Sequence, residues 1–406
     1  MKVLISGAGI GGLAAARALI ADGHQVTVFE QAPELRRGGA AVTLWSNGTG
    51  VLSALGVNLD GAGAPIDVLE TRDHRGKLLV SVDVAQAAAH YGHPHICLPR
   101  ARVLDLLAAG LPAGTIVFGR TSTGATQHSG ATEEGGTEEG GTAEGTGVSL
   151  TFADGGSAAG DMLVAADGRG SALRDQLWGG DPGELTGWAT WQGISPLPTD
   201  ITASHRSVLF VGKPGTCGLM PAGNGLLQWW FDLRWTPGTV QAAGPMAMIR
   251  ERFGDWAPPV RQVLAAVADA DAGFFPHYRH RVPRTWGSGR ITVIGDAAHS
   301  MPPTRAQGAN QALEDGWALA VALRNSVSAP AGPAADQIGD ALRAFERDRS
   351  AKASVVSRQA GSEDYNRYGA LVSRLVPGSL ATRYYTRWLG QISSYLGDEP
   401  HRQAVQ

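Results

Sequence analysis

Short runs of consecutive apolar residues, without polar alternation, recur through the first three hundred positions of the chain. Lys2-Val3-Leu4-Ile5-Ser6, Gln25-Val26-Thr27-Val28-Phe29, Met162-Leu163-Val164-Ala165-Ala166 and Arg290-Ile291-Thr292-Val293-Ile294 all have this form. It is the pattern of strands buried on both faces of a parallel sheet. Between the first two, Leu13 to Ala21 is rich in Ala and Leu and predicts a helix. A different texture follows in the middle of the chain. Gly187-Trp188-Ala189-Thr190-Trp191 and Gly225-Leu226-Leu227-Gln228-Trp229-Trp230-Phe231 carry the aromatic and β-branched residues of sheet, with Asn224-Gly225 as a hairpin turn. An antiparallel sheet here would present one face to a core and the other to a pocket, and for any single aromatic the core is the better assignment. After Gln307 the pattern turns helical, and from Gly361 onward, through Tyr384, Tyr385 and Trp388, it reads as a C-terminal helical layer.

The turns between these runs carry the chemistry. Gly7-Ala8-Gly9-Ile10-Gly11-Gly12 places Gly7, Gly9 and Gly12 at the GxGxxG positions of a strand–turn–helix unit. Each glycine removes a side chain that would obstruct the turn, a pyrophosphate or the helix–strand contact. The bare helix N-terminus supplies N–H donors and partial positive charge to a diphosphate. Glu30 follows Gly12 by eighteen residues, close to the spacing of a carboxylate that holds an adenosine ribose. On this motif alone NAD and FAD are indistinguishable.

Two further turns separate them. Asp167-Gly168-Arg169-Gly170-Ser171 ends the third run and leads toward a helix containing Arg174; taken alone, it is an ordinary Asp-Gly turn. Gly295-Asp296-Ala297-Ala298-His299 ends the fourth, and Met301-Pro302-Pro303 then leads to a helix starting near Gln307-Gly308-Ala309-Asn310. Asp296 offers an acceptor for a ribityl hydroxyl. The amides of Gly308, Ala309 and Asn310 can meet the negative charge that a reduced isoalloxazine carries near N1 and O2. The three motifs in this order point to FAD. The resulting fold class is α/β: a Rossmann-like FAD-binding domain with an inserted, mainly antiparallel β-sheet substrate domain and C-terminal helices.

Composition narrows the partners. At 406 residues the chain can bury a large core in two connected domains, and a formal net charge of −3 argues against nucleic acid or an anionic membrane as partner. Cys97 and Cys217 lack metal-ligand spacing and read as unpaired thiols in a reducing cytoplasm; no metal site is expected. No apolar run is long enough to span a bilayer, and the N-terminal apolar stretch belongs to the strand–glycine–helix unit rather than to a leader. One segment stands apart. Gly119 to Gly147 is a near-repeat of Thr, Glu and Gly with almost no apolar side chains, and reads as a long surface connection between strands at Thr115–Phe118 and Val148–Phe152.

With all three motifs in place, the stretch from Met1 to about Leu323 resembles the single-component FAD-dependent aromatic hydroxylases, the family of p-hydroxybenzoate hydroxylase, salicylate hydroxylase and the tetracycline-modifying monooxygenases. The resemblance implies that Glu30 is the ribose acid, that Arg36 closes over FAD and that Arg100 is a second flavin-contacting arginine. It assigns Asp167 and Gly168 to FAD and the nicotinamide donor, Asp296 to the ribityl chain, and Pro303, Gln307, Gly308, Ala309 and Asn310 to the segment beside the ring. It also implies a division into a FAD-binding domain (1–70, 96–180 and 274–330), a substrate domain (71–95 and 181–273) and a helical layer (331–406). Three positions depart from the family pattern: Gln31 where arginine is common, Gln192 in Trp191-Gln192-Gly193, and Ala306 where glycine is frequent.

The implied activity is that of a monooxygenase with non-covalent FAD, NADPH or NADH as electron donor and O2 as co-substrate. An aromatic or polyketide-like small molecule of secondary metabolism would be hydroxylated through a flavin C4a-hydroperoxide. A flavin dehydrogenase or oxidase, or an epoxidase or Baeyer–Villiger enzyme, would keep the same motifs. No catalytic acid or base is assigned: His93, His205, Arg206 and Arg305 are available to ionise a phenol, but each reads better as structural or solvent-facing.

Overall fold

The structure, a computed structural model, describes residues 1–36, 38–128, 147–181, 183–197, 199–239, 244–327 and 336–397. The strand Lys2–Ser6 is the centre of a five-stranded parallel sheet, with Met162–Ala165 and then Ile291–Val293 on one side and Gln25–Glu30 and then Ile116–Phe118 on the other. Val3, Leu4, Ile5, Leu163 and Val164 are fully buried, as continuous apolar strands covered on both faces must be. The helix Ile10–Ala21 and the long helix Gly308–Val327 pack closely together over this sheet, with Gly316 against Ala14 and Ala15 and Gly11 against Ala312. All five strands point their carboxyl ends toward one edge, where an open α/β sheet places its ligand.

The second layer is a seven-stranded sheet in the order Gly273–Arg279, Glu184–Ser195, Leu227–Arg234, Gly215–Pro221, Arg206–Gly212, Val68–Asp73, Leu78–Asp83. Strand period two sorts its residues onto two faces. Val208, Phe210, Cys217, Leu219, Trp229 and Phe231 face outward and bury the apolar sides of the helices Pro245–Phe253 and Pro258–Ala266. The inner face forms rows fixed by register: Thr190, Asp232 and Thr216 in one, Gln192, Trp230 and Gly218 in the next. Asn224 and Gly225 both adopt positive φ, 54° and 73°, in the tight turn between the strands Gly215–Pro221 and Leu227–Arg234.

Two smaller elements close the inner face. A three-stranded sheet of Ala41–Leu44, Ile96–Pro99 and Ala64–Pro65 covers one end, where Gln228 and Met220 meet Cys97 and Thr43. The helices Gln337–Gly361, Asp364–Leu375 and Gly378–Gln391 form the C-terminal layer and cover the other. Among the described residues no helix is long and apolar enough to cross a membrane.

One expectation needs correction. The Thr/Glu/Gly-rich connection does not begin at Gly119: Ser122–His128 is a strand, paired antiparallel with Gly147–Phe152, which in turn pairs with Ser157–Gly160. Thr115–Phe118 and Val148–Phe152 are therefore not the two strands that flank the connection. Only Ala125 of this strand is buried, so its sequence lacks the apolar signal, and the ladder to its partner supplies the order. The remainder, 129–146, lies outside the described residues.

Candidate active site

The glycine-rich turn sits where Lys2–Ser6 delivers it, at the carboxyl edge of the parallel sheet. Gly7 has φ +104°, and a methyl group there would lie 2.3 Å from the Ala166 carbonyl oxygen; at Gly12 it would lie 2.0 Å from the Gly7 oxygen. Both positions therefore exclude a side chain for packing reasons. Gly9 differs, since a methyl group there would meet nothing within 4 Å. Gly9 is also the N-cap of the helix Ile10–Ala21 and provides no side-chain cap, so no cap side chain takes the first-turn amides.

Glu30 emerges from the next strand and reaches back to this turn. Its Oε2 accepts from the Ala8 N–H at 2.9 Å and its Oε1 from the Ala32 N–H at 3.0 Å, which fixes the carboxylate beside the glycines. Arg36 is exposed, with Nε 4.0 Å from Glu30 Oε1. Arg100 donates to the Arg36 carbonyl at 3.4 Å. Burial pulls the Arg100 guanidinium below the usual arginine range, while the charges of Asp296 and Glu30 act in the opposite sense. Gln31 and Asp296 are both exposed.

Asp167 follows the Met162–Ala165 strand, next to Gly7. Burial raises its carboxyl above the usual carboxylate range, and its Oδ1 has no partner among the described residues. The buried Gln307 Nε2 also lacks one among them. A methyl group added at Gly308 would lie 4.0 Å from Asp296 Oδ1, so the Gly295-Asp296 turn meets the start of the helix Gly308–Val327. Asn310 is used differently from its neighbours. Its side chain donates to the carbonyls of Thr43 (3.0 Å) and Ala306 (2.9 Å) and accepts from the Trp45 N–H (3.0 Å). What it can present to a ligand is its place in the first turn of the helix. Pro303 is exposed, and Ala306 holds φ 48°, the left-handed conformation that glycine adopts without strain.

Beneath this edge lies a buried polar framework that the sequence did not reveal. Arg349 donates to Asp315 Oδ1 (2.8 Å), Glu314 Oε2 (2.8 Å) and Gln311 Oε1 (2.7 Å). Asp315 Oδ2 accepts from the Gly295 N–H at 2.8 Å and meets His299 Nε2 at 2.7 Å, which sets the Gly295-Asp296 turn. Although burial acts to raise the Asp315 carboxyl, His299 and Arg349 together hold it down at about 2. Asn47 donates to Glu314 Oε1 (2.8 Å) and Gln307 Oε1 (3.1 Å), so the same framework orients Gln307. His299 stood in the quoted motif without a role; Arg349 comes from a C-terminal helix with no local signal.

Across the cleft, Trp230 and Met220 of the inner sheet face share an apolar cluster with Trp45, Met301, Ala306 and Tyr385. Trp45 Nε1 donates to the Ala306 carbonyl at 3.1 Å, joining this aromatic wall to the Pro303–Gly308 segment. Trp230 lies flat over Gly218, where a methyl group would fall 1.8 Å from the indole Cζ2. Of the four residues available to ionise a phenol, Arg305 lies in the Pro303–Arg305 turn beside this wall, and the other three lie elsewhere. His205 pairs with Asp67 (2.6 Å) at the surface, Arg206 reaches Glu70 (3.4 Å), and the His93 ring packs on Tyr395.

An open glycine turn, an uncapped helix start, a clamped ribose-type carboxylate and two buried polar atoms without partners fit FAD, and together they define a flavin-dependent oxidoreductase. The FAD binding domain family matches residues 1–360. The Aurachin C monooxygenase/isomerase of Stigmatella aurantiaca is 31% identical over 82% of this chain and 82% of its own length. The FAD-dependent urate hydroxylase of Klebsiella pneumoniae is 28% identical over 86% of each. The crystal structure of Klebsiella pneumoniae HpxO with FAD and uric acid superposes with a TM-score of 0.84 at 26% identity, covering 96% of this chain and 97% of that one. The chain belongs to the FAD-dependent aromatic hydroxylase family and is an FAD-dependent monooxygenase.

Proposed function

We propose that this enzyme uses NADPH or NADH and O2 to hydroxylate a planar aromatic or heteroaromatic small molecule in the cytoplasm. The reading is carried by one juxtaposition: the Trp230 wall and the Pro303–Gly308 segment share an apolar cluster, so a flat ring can lie between sheet and flavin. The parallel sheet and its helices, within 1–70, 96–180 and 274–330, hold FAD. The seven-stranded sheet builds the substrate side and takes in the whole strands Val68–Asp73 and Gly273–Arg279, so the boundaries near 70 and 274 fall at the ends of those strands. The helices Gln337–Gly361, Asp364–Leu375 and Gly378–Gln391 of the C-terminal layer cover it. Glu30 takes the adenosine ribose, the amides following Gly9 take the pyrophosphate, and Asp296 takes a ribityl hydroxyl. Arg36 and Arg100 close over the cofactor. The amides of Gly308, Ala309 and Asn310 meet the charge of the reduced ring. Asp167 and Gly168 border FAD and the nicotinamide's approach.

When bound, FAD supplies the transfer of electrons from the nicotinamide to O2 and of one oxygen atom to the ring. The chain supplies position and exclusion of water. Helix-terminal amides oppose developing negative charge, and the apolar wall of Trp45, Trp230, Met301 and Tyr385 keeps solvent from the reacting carbon. Heteroaromatic substrates are favoured because urate is the substrate named for the Klebsiella relative. Buried, unpaired Cys97 and Cys217 are compatible with a reducing compartment.

The test is flavin content followed by NAD(P)H oxidation. Purified protein should be yellow and release FAD into solution on acid precipitation. A panel of hydroxylated heteroaromatics, uric acid among them, should include a compound that accelerates NADH or NADPH consumption. Flavin retained in the precipitate would refute non-covalent binding. Nicotinamide consumption indifferent to every compound would refute the substrate class.

A further inference from the structure

Six side chains from five segments close a ring of hydrogen bonds beside the Trp230 row. The Thr190 hydroxyl joins His277 Nε2 (2.6 Å) to Asp232 Oδ1. His277 Nδ1 meets Glu363 Oε1 at 2.7 Å, and Glu363 Oε2 accepts from Asn366 Nδ2 at 2.7 Å. Asn366 Oδ1 lies 3.2 Å from Thr216 Oγ1, which lies 3.2 Å from Asp232 Oδ2. Thr186 Oγ1 donates to Glu363 Oε1 at 2.8 Å from outside the ring. His277 and Glu363 are fully enclosed, and Asp232 is nearly so.

A count of hydrogens around this ring leaves one unaccounted for. Glu363 is an acceptor in this contact, so Asn366 turns its NH2 to Glu363 and its carbonyl to Thr216. Thr216 therefore faces two oxygens, those of Asn366 and Asp232, with a single hydroxyl hydrogen. The carbonyl has none to give. Every contact is satisfied when Asp232 Oδ2 carries a hydrogen and donates it to Thr216, which donates to Asn366. His277 then donates from both nitrogens, to Glu363 and to Thr190, and Thr190 donates to Asp232 Oδ1. The charge count agrees: two buried carboxyl groups share one imidazole, and with Asp232 neutral one carboxylate faces one imidazolium.

We propose that Asp232 is a positioning residue that works as a neutral carboxylic acid, its hydrogen closing the ring that fixes the substrate-side sheet to the C-terminal helices. Asp232 and Thr216 lie one step along their strands from Trp230 and Gly218 on the same face. Glu363 sits at the break between the helices Gln337–Gly361 and Asp364–Leu375 with φ 56°, a strained conformation held by its neighbours. The Thr304 hydroxyl donates to the Ala360 carbonyl at 3.1 Å, which ties that break to the Pro303–Arg305 segment. The ring thus sets the spacing between the aromatic wall and the segment beside the flavin. Its effect on substrate rests on the function proposed above.

Burial raises the Asp232 carboxyl, and hydrogen bonding to Glu363 raises His277 against its own burial. On the adjoining strand, the Cys217 thiol is pushed well up by burial, so it stays neutral. Arg279 is paired with Glu184 at the exposed strand end, and Asp364 and Arg367 of the covering helix are exposed. A carboxyl raised on folding contributes stability that is complete below its unfolded value and is lost as pH rises through its folded value. The ring therefore loosens with rising pH.

The test compares FAD-loaded wild type with Asp232→Asn, which keeps a donor toward Thr216, and Asp232→Ala, which does not. Infrared spectra at neutral pH should contain a protonated-carboxyl stretch in wild type that is absent from Asp232→Asn. Amide exchange across the helix Asp364–Leu375, corrected for intrinsic rates, should accelerate with pH in wild type, stay slow in Asp232→Asn and be fast throughout in Asp232→Ala. With the panel compound turned over fastest, KM should rise about fivefold in Asp232→Ala, the effect of roughly one hydrogen bond, and be restored in Asp232→Asn. Absence of the infrared band, or an Asp232→Asn protein as loose as Asp232→Ala, would overturn the proposal. An intact pH-dependent ring with KM unchanged in Asp232→Ala would overturn its positioning role. Failure of every panel compound would instead count against the proposed function, leaving the infrared and exchange results to decide the ring.

Discussion

Asp296 on the nucleotide side is exposed, and among the described residues neither Asp167 Oδ1 nor the buried Gln307 Nε2 has a partner, whereas Asp232 on the sheet side is enclosed by two hydroxyls. Leaving a buried polar group unpaired costs about 1–3 kcal/mol, a cost a folded protein tolerates where a ligand makes the missing bond. The nucleotide side is thus built for an occupant that stabilises the fold when it binds. The Asp232 ring is satisfied within itself, and the wall beside it is mostly aromatic. On the proposed function, specific polar recognition belongs to the cofactor and shape to the substrate.

The framework under the nucleotide side should be the most sensitive point. Arg349→Met strands Glu314 and Asp315 without their buried cation, and a loss of about 3–5 kcal/mol in urea unfolding of the apo protein is expected. An apo protein of unchanged stability would remove the framework from the account. The same cluster predicts acid sensitivity. Asp315, held at about 2 in the folded protein, sits below its unfolded value. Its contribution is present above about pH 4 and is lost as pH falls toward 2. Thermal melts across that window should lose cooperativity more gradually in Asp315→Asn than in wild type.

Next in size, Asp296→Ala should weaken FAD binding by about 1–3 kcal/mol while leaving apo stability nearly unchanged, because the side chain is exposed. Gln31→Arg, at another exposed position, should alter FAD affinity far less. Titration of the apo proteins with FAD decides both, and equal affinity of Asp296→Ala and wild type would sink the ribityl role. The smallest effect is expected at Ala306, whose left-handed backbone favours glycine. Ala306→Gly should change stability by less than about 1 kcal/mol, since relief of strain is offset by greater freedom of the unfolded chain. A loss of several kcal/mol would show that the methyl group packs in the aromatic cluster and contributes substantially.

What the sequence made legible was whatever local chemistry dictates. The three glycine- and aspartate-bearing turns, the parallel strands before them and the helix after Gln307 follow from neighbours a few positions apart. Gly7 and Gly12 could be read because the turn itself excludes a side chain there. Arg349 could not, because its partners Gln311, Glu314 and Asp315 lie on a separate helix. Thr190, Thr216, Asp232, His277, Glu363 and Asn366 have no spacing that announces a ring; only the sheet register and the C-terminal layer bring them together. The strand Ser122–His128 was hidden for a related reason, since its stability lies in the ladder to Gly147–Phe152 and not in its own side chains.

The claim at the centre of this account is oxygen transfer to an aromatic ring, and isotope labelling tests it most directly. FAD-loaded enzyme, NADPH or NADH and the panel compound that most accelerates nicotinamide oxidation are incubated under 18O2, and the product mass is measured. A monooxygenase places one labelled atom in the product and sends the other to water. Nicotinamide consumption that leaves the compound unchanged and forms one hydrogen peroxide per nicotinamide, or an unlabelled product reduced at the nicotinamide's expense with no O2 uptake, would contradict it and identify an oxidase or dehydrogenase on the same scaffold.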